Sequence, residues 1–256
     1  LSNDGFKYVY QNIKKNVHLS SISGGTDIVS CFVLGNIYQP VHIGEIQNKG
    51  LGLNVDIFND KGKPTKNAKG ELVCKNPFPT MPLKFWNDKN DNKFKDAYFN
   101  RFPNIWHHGD FAEIKKTKGF IIHGRSDTTL NPGGVRLGTA EIYSEVEKFK
   151  EIKESIVVGQ SWDNDVRIIL FIIMNEKFIL TENLLKKIKI QIRKNASPRH
   201  VPSKVIEVKD IPRTKSGKIV ELAVKNTIEG NNIKNKEALA NPKALEQFKN
   251  LKELNI

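Results

Sequence analysis

Four short segments of this 256-residue sequence hold the side chains that could do chemistry. The stretch "IPRTKSGKI", residues 211–219, sets Lys218 behind a Ser-Gly pair, with Pro212 opening the segment. A lysine at the tip of a glycine-bearing loop suits a phosphate contact. The loop is not a Walker cradle, which needs a glycine five residues before its Gly-Lys pair and a Ser or Thr after it. Pro212 and Ile219 stand at those two places, so alone the loop reads as a surface turn with a solvated lysine. In "SGGTDI", 23–28, Gly24 and Gly25 let backbone approach a ligand closely, and Thr26 and Asp27 then offer a hydroxyl and a carboxylate. Gly-Gly followed by Thr-Asp is also an ordinary helix start. In "WHHGDF", 106–111, Asp110 follows a glycine at a strand edge and can accept two hydrogen bonds from a vicinal diol such as a ribose. Its plain reading is a turn aspartate. His107 and His108 do not fit a HExxH metal pattern and read as structural. In "HGRSDTTLNPGGVRLGTAEI", 123–142, Arg125 and Arg136 flank a Gly-rich turn beside a helix start at Thr139, an arrangement suited to polyphosphate.

The elements that must position these segments change rhythm along the chain. Up to about residue 126 the pattern is mostly strands and turns. "GLNVDIFNDKGKP" alternates and then breaks at a turn signal; "GELVCKNPFPTMP" is a short strand entering a loop where Pro77, Pro79 and Pro82 forbid regular pairing. "FIIHGRSD" is a strand ending at a glycine turn. Beyond it, "GTAEIYSEVEKF" has helical spacing with Ile142, Val146 and Phe149 on one face and Thr139 as N-cap. "ESIVVGQ", "VRIILFIIM" and "KVIEVKD" read as strands, and "TENLLKKIKIQIRKNA" as an amphipathic basic helix capped by Thr181. "NPKALEQFKNLKEL" reads as a terminal helix packing Leu245, Phe248 and Leu251. The expected organisation is a β-rich region over 1–126 and a compact α+β module over 127–256, with the boundary near Arg125–Asp127.

The net charge is +13. Residues 1–126 carry 18 basic and 11 acidic side chains, and the rest 23 and 17, so the charge is spread evenly. That excludes a basic nucleic-acid arm and fits a surface that attracts small anions such as nucleotides. No basic-aromatic interleaving, zinc spacing or recognition-helix pattern points to nucleic acid. Cys31 and Cys74 lack metal-ligand spacing and read as free thiols in a reducing, cytoplasmic setting. No segment reads as a signal peptide, and the longest apolar run, "IILFIIM", is too short to span a bilayer and reads as a buried strand. The sequence opens with Leu1 in mid-pattern, so it is expected to be part of a longer polypeptide.

In this order and spacing the four segments resemble the signature segments of the acyl-adenylate-forming superfamily, over nearly the whole chain. Within it, "PFPTMPLKFWND", "FPNIWHHGDFAEI", "GRSDTTLNPGGVRLGTAEIY", "RHVPSKVIEVKDIPRTKSGK" and "NPKALEQFKN" are most similar to the acetoacetate–CoA ligases. The resemblance implies a fold of mixed α/β and α+β class: the C-terminal part of the large AMP-binding domain over 1–126, then a small mobile domain over 127–256. It implies ATP, CoA and Mg²⁺ as cofactors or co-substrates and acetoacetate as substrate. Carried over residue by residue, Gly25 and Thr26 would meet the AMP phosphate or substrate carboxylate, and Asp27 would help hold Mg²⁺. Asp110 would bind the ribose hydroxyls, and Arg125 and Arg136 the nucleotide. Asp127 would be the hinge. Gly134 would line the pantetheine tunnel, and Arg193 would contact the CoA nucleotide. Lys218 would bridge carboxylate and α-phosphate oxygens during adenylation. The resemblance lapses at Ser23, where many relatives carry an aromatic ring against adenine. The superfamily's upstream phosphate loop and most of its N-terminal domain are absent, so weak or no catalysis is expected of this stretch alone, and the missing N-terminal part of the same polypeptide is its expected partner. An acetate- or propionate-activating ligase, or a non-catalytic nucleotide-binding remnant, remain alternatives.

Overall fold

The computed structural model describes residues 1–65, 68–233 and 236–255. Its chain contacts gather into two units, Leu1–Ser126 and Asp127–Ile256.

The first unit opens with helix α1 (Asn3–Tyr8), capped by Ser2, whose hydroxyl accepts from the Gly5 amide at 3.2 Å. Strands β1 (Ser23–Gly25), β2 (Ser30–Leu34) and β3 (Asn48–Lys49) form an antiparallel sheet in that order. A second antiparallel sheet runs in chain order through β4 (Val55–Phe58), β5 (Gly70–Cys74), β6 (Trp106–Ile114) and β7 (Phe120–Arg125). The expected turn after β4 is built by Asn59, whose side-chain carbonyl accepts from the Lys61 and Lys63 amides. Between β5 and β6 the proline-rich loop leads to helix α2 (Asn92–Tyr98). Phe32, Phe78, Phe94, Tyr98 and Trp106 form the aromatic centre of this unit's core. Edge-on contacts among them add to the area they bury.

The second unit holds α3 (Thr139–Val146), β8 (Ile152–Trp162), β9 (Asp165–Met174), α4 (Glu182–Asn195), β10 (Lys204–Glu207) and α5 (Glu221–Ile228). Strand β9 is central, antiparallel to β8 and parallel to β10. A parallel pair needs a crossover, and α4 supplies it. Both faces of β9 are covered, which is why its sequence is a continuous apolar run. Ile168, Leu170 and Ile172 face a core shared with α3 and α4, while Ile169 and Phe171 face one shared with α5 and the chain's last turns. Thr181 caps α4 as expected, its hydroxyl accepting from the Leu184 amide at 3.2 Å.

Two local expectations are corrected. Thr139 is the first helical residue of α3, buried and making no side-chain cap; Gly138 holds the cap position. The terminal segment is not an α-helix but two short 3-10 stretches, Pro242–Phe248 and Lys252–Leu254, broken at Lys249, which is extended, and at Asn250, which has φ 53°. Leu245 and Phe248 are nevertheless fully buried and Leu251 partly so: the apolar spacing set the contacts, and the left-handed asparagine ended the helical path.

Candidate functional site

In the first unit, β1 ends at Gly25 and the chain turns through Thr26–Val29, the Val29 amide donating to the Thr26 carbonyl at 3.2 Å. Ile28 anchors the turn in the core while Thr26 and Asp27 are exposed. The two glycines are used first by the protein itself. A Cβ on Gly24 would lie 2.1 Å from the Ser30 carbonyl oxygen, and one on Gly25 would lie 2.6 Å from the His108 ring. Asp27 is held from the other side: the Tyr98 hydroxyl donates to its carboxylate. Burial, reinforced by that carboxylate, pushes the Tyr98 phenol well above its usual range, so it stays a proton donor.

Asp110 was expected at a strand edge; instead it lies on an inner strand, β6, flanked by β5 and β7. It is 7% exposed. The strand is irregular beside it: Gly109 has φ 81°, and the register to β7 shifts between Phe111 and Ala112. Arg125 stands directly opposite Asp110. Its guanidinium donates to the Asp110 carboxylate at 3.1 Å and to the His108 carbonyl at 3.0 Å, while half of the side chain remains exposed.

The two histidines, read together as structural, part company. His107 donates from Nε2 to Glu71 at 2.8 Å, a fully buried carboxylate also bound by Arg101 at 3.1 Å and by Ser126; it braces the sheet. His108 lies inside the candidate site, against Gly25, edge-on to Phe32 at 4.7 Å and 4.0 Å from the Asp110 carboxylate. Burial, aided by the charge of Arg125, lowers its pKa against the opposing pull of Asp110 and Asp27. The net direction favours the uncharged imidazole beside Arg125. Gly25, Asp27, Asp110 and Arg125 are thus brought together, with His108 and Tyr98 added. Sequence reasoning missed both. His108 had one signal, its place two residues before Asp110; Tyr98, 71 residues from Asp27, had none.

Asp27 is also the candidate Mg²⁺ ligand. Among the described residues no group of three or more His, Cys, Asp and Glu side chains could cage a metal. Magnesium carried on phosphates takes only one or two carboxylates from the protein. An exposed carboxylate with one oxygen bound by a phenol fits that donor set.

The second unit begins at Asp127, within a 3-10 turn, Ser126–Thr128. A bridge between Leu130 and Leu137 closes a loop that carries Gly133, Gly134 and the partly buried Arg136. The Gly133 amide donates to both Asp165 oxygens, at 2.9 and 3.0 Å. Gly134, at φ 73°, is exposed, and no atom lies within 4 Å of where its Cβ would be. Arg193 is exposed in the last turn of α4. Arg199, which sequence reasoning passed over, lies with its guanidinium 3.9 Å from the Cβ position of Gly133. Its turn is fixed because His200 links Ser197, at 2.8 Å, to Glu141 of α3, at 3.1 Å.

Lys218 sits beside a tight turn. The Thr214 amide donates to the Lys218 carbonyl at 2.8 Å, and the Lys218 amide donates to the Thr214 hydroxyl at 3.1 Å. Gly217, at φ 83°, closes the turn. Arg213 donates to the Gly217 carbonyl at 3.1 Å and pairs with Glu154 of β8. The loop backbone is therefore anchored to the sheet, while the Lys218 side chain is exposed and makes no ion pair among the described residues. Such an ammonium is available to neutralise an anion.

Residues 141–218 match the family described as the AMP-binding enzyme C-terminal domain. Over 254 residues the chain is 60% identical to the acetoacetyl-coenzyme A synthetase of Rhizobium meliloti (strain 1021), covering 99% of this chain and 39% of that protein. The acetoacetyl-CoA synthetase of Xenopus tropicalis is 48% identical over 256 residues, 99% of this chain and 38% of that one. Among solved structures, acetoacetyl-CoA synthetase from Streptomyces lividans superposes with a TM-score of 0.91 at 38% identity, over 100% of this chain and 40% of that one. The chain thus spans about two-fifths of the length of the curated relatives it matches. ATP-bound MatB from Rhodopseudomonas palustris, 18% identical with a TM-score of 0.74 over 90% of this chain and 44% of its own, shares the fold. The architecture is that of the adenylate-forming enzymes.

Proposed function

We propose, for a chain homologous over its whole length to acetoacetyl-CoA synthetases, that it is the part of an acetoacetate–CoA ligase that grips the adenylate and carries the catalytic lysine. The reaction has two steps. Acetoacetate attacks the α-phosphorus of ATP, releasing pyrophosphate and forming acetoacetyl-adenylate. The CoA thiol then attacks the acyl carbon of that mixed anhydride and AMP leaves.

The observation that carries this reading is the Asp110–Arg125 pair across β6 and β7, beside the exposed Thr26–Asp27 turn. A carboxylate that accepts from a diol, next to a half-exposed guanidinium, matches a ribose joined to a phosphate. Gly25 and Thr26 offer an amide and a hydroxyl to the α-phosphate. Asp27 would hold Mg²⁺, which when bound neutralises phosphate charge. In the second unit, Lys218 serves adenylation: the transition state gathers negative charge on carboxylate and phosphate oxygens, and a point charge on a flexible stem neutralises both. Arg136 serves the same phosphates. Gly134, open on every side, lines the pantetheine path, and Arg193 meets the CoA nucleotide. Asp127 is the hinge, residues 1–126 belonging to the AMP-binding domain and 127–256 to the mobile one. Free Cys31 and Cys74 fit a cytoplasmic setting.

The test is acetoacetate-dependent exchange of labelled pyrophosphate into ATP by the 256-residue chain, alone and together with the remaining part of a relative. Exchange that falls roughly 10²–10³-fold in Lys218→Ala supports the assignment, since that is the cost of one preorganised electrostatic contact. Exchange driven by acetate or propionate but not acetoacetate would move the substrate; exchange indifferent to Lys218 would remove its role.

A further inference from the structure

We propose that Tyr98 is a positioning residue that fixes the Asp27 carboxylate at the nucleotide site, committing one oxygen to the phenol and leaving the other for the ligand. This rests on the reading of the Thr26–Asp27 turn as the phosphate and Mg²⁺ side of the site. Tyr98 ends α2 and is 6% exposed. Its ring lies on Trp106 with centroids 3.7 Å apart and planes 14° from parallel, and the rings of Phe94 and Phe85 meet it edge-on at 5.6 and 5.8 Å. Ring orientation is therefore set by the core. The only polar atom on that ring reaches out of the core to an exposed carboxylate on a distant turn. A buried phenol commonly finds a nearby partner. This one spends its hydroxyl on a residue that would otherwise be free to change rotamer, and on the one carboxylate of the turn. Trp106, on which Tyr98 stacks, begins the strand that also carries Asp110. One aromatic stack thus fixes the ribose side and the phosphate side relative to each other. A partner that orients a metal or phosphate ligand is worth roughly 10–100-fold in affinity when removed.

The experiment is titration calorimetry of the 256-residue chain with ATP, once with Mg²⁺ and once with EDTA, for wild type, Tyr98→Phe and Asp27→Asn. Phenylalanine keeps the stack and removes only the hydroxyl. The proposal expects Tyr98→Phe to lose about tenfold of the Mg²⁺-dependent affinity, with ATP binding in EDTA and the melting temperature nearly unchanged, and Asp27→Asn to lose the same increment. Full Mg²⁺ enhancement in Tyr98→Phe, when Asp27→Asn loses it, overturns the proposal and leaves the nucleotide site intact. Equal losses in both buffers mark Tyr98 as structural and also overturn it. Wild type that binds ATP with no Mg²⁺ enhancement removes the assignment of Asp27, and wild type that binds no ATP removes the site itself.

Discussion

Gly109 is a residue of the candidate site where backbone conformation and a neighbouring side chain both oppose a substitution. Its φ is 81°, and a methyl group there would stand 2.8 Å from the Arg125 guanidinium. Gly109→Ala therefore meets backbone strain and a displaced arginine together. Strain of this kind costs about 1–3 kcal/mol, and moving Arg125 breaks the pairing that presents Asp110. The expected outcome is a lower urea midpoint and a several-fold loss of AMP affinity, measured by denaturation and by titration; a variant with wild-type AMP affinity would separate Arg125 from nucleotide binding. Gly134 gives a different expectation. Its φ of 73° also strains a side chain, so Gly134→Leu should lose stability, but with open space around it the variant, on the proposed reading, should keep pyrophosphate exchange near wild type in the assembled ligase while thioester formation falls at least tenfold, as followed by acetoacetyl-CoA release. Residue types made Asp110, Arg125 and Lys218 candidates, but alone Asp110 read as a turn aspartate and Lys218 as a solvated lysine; only the family resemblance gave them roles. Residue types could not point to Tyr98, an apolar-looking aromatic in a core, nor tell His107 from His108, since the difference between them is which face of β6 each side chain takes.

At the scale of elements, Glu145 is the joint between α3 and α4. Its carboxylate, almost wholly buried, accepts from Asn195 at 2.8 Å, Gln191 at 3.0 Å and Lys148 at 2.7 Å. Burial alone would raise its pKa; the hydrogen bonds from Asn195, Lys148 and Gln191 outweigh it and bring the pKa below 4.5. A depressed carboxylate pKa stabilises the fold at pH above the unfolded value and loses that contribution as pH falls through the folded one. Glu145→Gln should therefore be less stable than wild type by about 1–3 kcal/mol at neutral pH. The gap should narrow once pH drops below 4.5. Urea midpoints of both proteins between neutral pH and strong acid test this, and a gap constant throughout would refute it. Elements with a strong period were legible: β9 from its apolar run, α4 from its cap and amphipathic stripe. Thr139 was misplaced by one position because a cap is decided by backbone angles, and both Gly138 and Thr139 are acceptable cap residues. The last segment kept its apolar spacing but not its helix, because Asn250 takes a left-handed conformation that no periodicity signals.

For the whole molecule the dominant quantity is its charge, +13 over 256 residues and evenly spread. No described helix is long and apolar enough to cross a membrane. ATP is an anion, and a basic surface raises its encounter rate through a long-range term that salt screens: the Debye length shrinks from about 10 Å at 0.1 M to about 3 Å at 1 M. On the proposed reading the contacts of the nucleotide with Asp110 and Arg125 would be at hydrogen-bonding distance and screened much less. Stopped-flow measurements should show the ATP association rate falling several-fold over that salt range while the dissociation rate changes little, and adenosine, which is neutral, should show neither effect. A steep loss of equilibrium affinity for RNA of any sequence over the same range, with ATP unaffected, would instead mark the charge as a polyanion-binding surface, since counterion release scales with the number of phosphates neutralised. The even spread of charge argues for the first outcome: a tract of RNA is gripped by a stripe of lysines and arginines, whereas a single nucleotide needs only the summed field to arrive and a handful of fixed groups to stay.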